Sequence, residues 1–222
     1  MSAWLSYSLS DFMMFSKDTY FRLFELHNVA LWPAQLAVIA GAVAIVVLAQ
    51  RPGRWAGRVI SMIFAGFWLG CAWAFHLERY AQVHLAAPLF AAAFGLQALV
   101  LFWLGAVRGR LAIGEIGPAT VIGWLGLAAA FVGYPLLAPL SGRPWLQAEL
   151  VGLAPDPTAA ATFALALLLT RAGWMLLVIP VAWSAVSFAT LWTLGARGQA
   201  LVLPLIAVLA LAAAYRRRAE PL

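Results

Sequence analysis

Polar side chains are scarce in this chain, and those with chemical potential fall into a few short stretches. His76 and His84 flank Glu78, Arg79 and Tyr80 within WAFHLERYAQVHLAAP (Trp73–Pro88), His27 follows Glu25, and Asp156 lies in APDPT (Ala154–Thr158). Imidazole and carboxylate together are ligands for zinc and other divalent transition metals. The same groups also hydrogen-bond polar solutes and relay protons. The metal set they suggest is His27, His76, His84 and Asp156. A metal-free ligand would meet His76, Glu78, Arg79, Tyr80, His84, Glu25 and Gln35. The spacing does not choose between these readings. His76 and His84 are eight positions apart, and HxxxH, HExxH and CxxC are absent from the chain. Helix capping and mutual hydrogen bonding therefore stand beside the ligand readings.

Two further patterns are polar without being obviously chemical. Glu25, Asn28, Trp32 and Gln35 recur at spacings that share one helical face. They suit a vestibule lining or simple interhelical hydrogen bonds. Ser184, Ser187, Thr190 and Thr193 follow Pro180, and small hydroxyl residues of this kind let helices pack closely and re-satisfy backbone groups freed by proline. Schiff-base chemistry requires a buried lysine. The only lysine, Lys17, precedes the first apolar run, so a retinal pigment is excluded. The lone Cys71 forbids an intramolecular disulfide.

The elements that position these residues follow from composition. Of 222 residues 65% are hydrophobic and 10% charged, and mean hydropathy is +0.93. Soluble domains average about 25% charged residues, so most of this chain must face lipid or other helices. Lipid leaves unpaired backbone groups unsatisfied, so helices must carry the apolar runs. The reading is an all-α polytopic membrane bundle of about seven transmembrane helices, at 29–49, 59–75, 85–107, 119–140, 157–170, 172–194 and 199–215. An aromatic-rich, amphipathic segment, 1–28, lies in the interface before them, and 216–222 forms a basic tail. Asp156-Pro157 reads as an N-cap and first helical residue. The fifth span then covers only about 21 Å of a core about 30 Å thick. Either its boundary lies elsewhere, or Asp156 sits in a protein-lined recess. A single long helix over 157–194 is the alternative to two spans.

Orientation follows from the arginines. With the N-terminus outside, nine basic residues fall inside (Arg51, Arg54, Arg58, Arg108, Arg110, Arg171 and Arg216 to Arg218) and five outside. The acids divide the other way, leaving formal charge near +7 inside and −1 outside, in accord with the +6 total. This pattern explains the basic balance without nucleic acid as a partner. All three histidines fall on the acid-rich outer side.

YSLSDFMMF (Tyr7–Phe15), YFRLFELHNVALWPAQ (Tyr20–Gln35), WAFHLERYAQVHLAAPLFAAAFGLQ (Trp73–Gln97) and APDPT resemble an uncharacterised bacterial family of multi-pass membrane proteins, described as a domain of unknown function. The resemblance implies a bacterial inner (plasma) membrane location and carries no activity or catalytic residue. More loosely, the chain is similar to the seven-span zinc hydrolases of the ceramidase and adiponectin-receptor type. It departs from them because its last two spans contain no histidine.

Three functions remain open from these residues. The first is binding of a small solute or metal ion in a polar His/carboxylate recess on the periplasmic side, in a transport-like or sensing role. The second is a metal-dependent membrane hydrolase, with zinc as the natural ion. The third is an accessory subunit whose partners are lipids, other membrane subunits or a second copy of itself.

Overall fold

The computed structural model describes residues 15–51, 53–114, 118–169 and 174–219. Within these the chain is helix, turn and loop, with isolated bridges as the only β-pairing. Helix α1 (Lys17–Ala30) begins where Ser16 caps the backbone N–H of Thr19 at 3.2 Å and Asp18 opposes the helix dipole. It is followed by α2 (Ala34–Ala49), set at 92° to it across a break at Leu31–Pro33. That bend cuts the expected face Glu25–Asn28–Trp32–Gln35 in two. Helix α3 (Arg54–Gly70) continues as a π-helix over Cys71–Leu77. Helix α4 (Ala87–Leu101) likewise continues as π-helix Phe102–Val107. Helix α5 (Pro118–Ala128) runs through π-helix Ala129–Gly133 into α6 (Tyr134–Leu140).

Next come α7 (Pro155–Leu168), α8 (Val178–Thr193), the short α9 (Arg197–Ala200) and α10 (Val202–Ala219). Residues 157–194 are thus two separate helices packed against each other, not one. Arg171, the expected inner marker between them, lies outside the described residues, as do residues 1–14 of the expected interfacial segment 1–28. Among the described residues four helical stretches are long and apolar enough to cross a membrane: Arg54–Gln82, Ala87–Val107, Thr120–Leu140 and Arg197–Tyr215. The bent pair α1–α2 makes a fifth if counted as one span. These lengths are compatible with a membrane location.

The architecture is organised around α7. All fourteen of its residues are buried, walled in by α3, α5, α8 and α10. Small residues make this possible. On α5 a Cβ at Gly126 would stand 2.9 Å from the Ala164 methyl, so the two backbones touch where side chains would hold them apart. Between α3 and α7 the staples are polar: Trp68 Nε1 donates to Thr162 Oγ1 at 2.9 Å, and Cys71 Sγ meets Thr158 Oγ1 at 3.4 Å. At the far end of α7 the backbone turns extended. Gly114 N–H donates to the Leu168 carbonyl at 2.8 Å, and Ile113 pairs with both Gly53 and Leu169. Non-helical backbone at such depth is tolerated where protein surrounds it, and Leu111 and Ile113 are both buried.

Candidate functional site

The centre of interest is the N-terminal turn of α7. The turn before it is built by Gly152, whose φ of +82° suits glycine and whose N–H donates to Thr158 Oγ1 at 2.7 Å. Pro155 then opens the helix, its fixed φ suited to the first turn. Asp156 is consequently not the cap expected from DP: Ala154 occupies that position, and no side chain caps the helix. Released from that task, the Asp156 carboxylate turns to α8. Trp183 Nε1 donates to its Oδ1 at 2.8 Å and Ser187 Oγ donates to its Oδ2 at 2.6 Å. Asp156 is 4% exposed. Among the described residues no Lys, Arg or His nitrogen lies within 4.0 Å of it, the one ion pair there being Arg143–Glu149. A carboxylate so placed is costly unless something positive or a proton completes it.

On the other side of Trp183 sits His76, carried by π-helix Cys71–Leu77. Single π turns recur at functional sites because the extra residue re-aims side chains. Its ring packs edge-on against Phe94 (4.5 Å between centroids) and Trp183 (5.1 Å), with Phe90 and Tyr80 about it. The residue is 0% exposed, and among the described residues no group pairs with Nδ1 or Nε2. Native interiors pair the great majority of such atoms, so a histidine without protein partners is unusual. Trp183 thus touches both groups, donating Nε1–H to Asp156 and meeting the His76 ring in a T-shaped contact.

The other expected site residues fall around this pair. His84 stacks on Tyr80 at 4.9 Å and accepts the Ala86 N–H on Nδ1 at 3.1 Å. Burial lowers its pKa from the ordinary value. His27 is separated from His76 by the Phe75 ring, which lies 5.6 Å from the first and 5.4 Å from the second. Aromatic rings therefore stand between the suggested ligands, and among the described residues no three His, Cys, Asp or Glu side chains gather as a metal ion needs. Glu78 is exposed and Arg79 half-buried. Glu25 accepts from Gln147 Nε2 at 3.2 Å, Asn28 Nδ2 donates to the carbonyls of Leu146 and Ala148 at 2.8 Å each, and Gln35 Nε2 donates to the Asn28 carbonyl at 2.6 Å. Glu25 and Asn28 thus bind α1 to the 144–149 loop, and Gln35 ties the start of α2 back to α1.

That loop carries a buried ion pair, Arg143 Nη2 to Glu149 Oε1 at 3.3 Å, with the guanidinium 3.8 Å from the Phe21 ring centre. Burial and the Asp156 charge push the Glu149 carboxyl up to about 7, against the opposing pull of Arg143. Because the folded protein holds this proton more tightly than an unfolded chain, stability is fully present below about 4.5 and declines as pH rises through 7. Thermal melts between pH 5 and pH 8 should show this fall, and Glu149→Gln should flatten it. An unchanged slope in E149Q would remove Glu149 as the cause.

The hydroxyl series on α8 acquires a meaning that spacing could not show. Ser187 holds Asp156, Thr190 lies beside the Tyr80 hydroxyl, and Thr193 bonds back to the Ala189 carbonyl at 2.7 Å. Trp183 and Ser187 were the residues sequence reasoning did not place in the site. The available signal was a tryptophan and a serine four apart on a span facing an acid, and it required knowing which helices touch. The family of unknown function DUF6064 matches residues 17–221. The chain belongs to that family. It matches none of the curated proteins and none of the solved structures.

Proposed function

We propose that this DUF6064 protein is a seven-helix bacterial inner-membrane protein, N-terminus periplasmic and C-terminus cytoplasmic, that binds a small solute bearing a protonated amine from the periplasmic side, in a transport-like or sensing role. The observation that carries the reading is the Asp156 carboxylate, buried at the start of a short central helix and held by two neutral donors with no cation beside it among the described residues. Short helices walled in by a bundle are where membrane proteins place polar ligands, since irregular backbone at depth must line a protected space. An ionisable group there marks a solute or proton path. Each carboxylate oxygen keeps a lone pair beyond the bonds from Trp183 and Ser187, and the Trp183 ring beside it suits a cation. His76, in ring contact with Trp183, offers two ring nitrogens for a polar group on the same solute.

The test is scanning fluorimetry of the purified full chain against ethanolamine, choline, spermidine and lysine, with glucose and acetate as uncharged and anionic controls. Saturation to about 100 times Kd should raise the wild-type melting temperature by roughly 5–10 °C with at least one amine. Asp156→Asn, which keeps the shape, should not respond. Amines that leave the wild type unmoved, or that shift D156N equally, would overturn the reading. In that case a subunit role becomes the better account, to be pursued by co-purification.

A further inference from the structure

A second site lies apart from Asp156, between the polar face of α1 and the 141–147 turn. It is a cleft of about 390 Å³ lined by Lys17, Asp18, Arg22, Glu25, Arg143 and Gln147, with Phe21 at its base. Its charges are of both signs and largely unspent. Lys17, Asp18 and Arg22 are exposed, and none forms an ion pair or hydrogen bond with another described residue through its side chain. Arg143, by contrast, is fully engaged with Glu149, Ser141 and the Gln147 carbonyl. It stiffens the wall.

Placement adds the second half of the argument. Helix α1 stands at 92° to α2. If α2 crosses a bilayer, α1 lies along its surface, and Lys17, Asp18, Arg22 and Glu25 stand at headgroup depth. Trp32 and Trp145, 66% and 61% exposed, flank this region as interfacial tryptophans do. A bare anion would be repelled by Asp18 and Glu25, and a bare cation by Lys17 and Arg22. A phosphate joined to a primary ammonium satisfies both pairs.

We propose that this cleft holds the phosphoethanolamine headgroup of a membrane lipid, the phosphate against Lys17 and Arg22 and the ammonium against Asp18 and Glu25. The proposal rests on the membrane reading above, though not on the amine site at Asp156. Its ligand chemistry is shared by free phosphoethanolamine, so the experiment separates the two sources.

The measurement is native mass spectrometry of the detergent-purified full chain, titrated separately with phosphatidylethanolamine, phosphatidylglycerol and phosphatidylcholine of matched acyl chains. The wild type should retain phosphatidylethanolamine preferentially. A K17Q/R22Q variant should bind it roughly 25-fold more weakly, at the strength expected for two interfacial cations. A D18N/E25Q variant should instead lose the preference for phosphatidylethanolamine over phosphatidylglycerol while still binding lipid. Equal retention of the three lipids by the wild type, or unchanged retention in K17Q/R22Q, would overturn the proposal. So would displacement of the lipid by equimolar free phosphoethanolamine, which would assign the cleft to a soluble ligand. A chain that stays monodisperse without detergent would instead defeat the membrane reading itself. Size-exclusion profiles of the variants guard against misfolding.

Discussion

Asp156→Ala should lower the melting temperature of the purified protein by roughly 5–15 °C. The substitution strands two buried donors, Trp183 Nε1 and Ser187 Oγ, which now bond the carboxylate at 2.8 and 2.6 Å. Each unsatisfied buried donor costs about 1–3 kcal/mol, and each kcal/mol moves the midpoint of a chain this size by about 2–4 °C. Asp156→Asn should cost less, because the amide retains one acceptor oxygen. The decisive comparison is a cycle. In a W183F/S187A background both donors are already gone, so Asp156→Ala should cost little there or even stabilise, by removing an unsupported buried carboxylate. Equal losses in the two backgrounds would mean that the bonds to Trp183 and Ser187 contribute nothing, and the site would lose its physical basis.

Gly57→Ala should be more damaging still, and for a reason unconnected with ligands. A Cβ at Gly57 would lie 1.6 Å from the Leu111 carbonyl oxygen and 2.7 Å from its carbon. Backbone cannot rotate away as a side chain can. The obstructing segment is itself pinned, through Ile113 to Gly53 and through Gly114 to Leu168. Overpacking commonly costs about 1–3 kcal/mol, and a clash with anchored backbone belongs at or beyond the upper end. The expected result is a fall of about 10 °C or more in melting temperature, or loss of the monodisperse fraction on size exclusion. Gly66→Ala is the control, since a Cβ there meets nothing within 4 Å. It should be neutral to slightly stabilising through its better helix propensity. A G57A protein that melts like G66A would show that the 111–114 segment does not pack on α3 in solution. The extended backbone that closes the far end of α7 would then have to be placed elsewhere.

These two effects show how unevenly the molecule can be read from its residues. Long apolar runs without the alternation of barrel strands compel helices here, because a helix satisfies its own backbone away from water. The short helix opened by a proline near Asp156 was also legible, since its length fell visibly below what a bilayer requires. The histidines near 76 and 84 were legible as neighbours, and both do lie against Tyr80.

What local pattern could not supply is which helices touch. Periodicity says that a residue faces a partner but never names the partner, so Asp156 looked like a cap while its real contacts lay 27 and 31 positions downstream. For the same reason the serines of α8 looked like packing residues, and Phe75 could not be foreseen as the ring dividing His27 from His76. The burial of α7 on every side depends on small residues of α5 and α7 meeting at one depth, as Gly126 meets Ala164. That is a property of the assembled bundle. Apolar runs dictate helices because the backbone must be satisfied everywhere, whereas a site arises from a few long-range pairings that leave no trace in any single run.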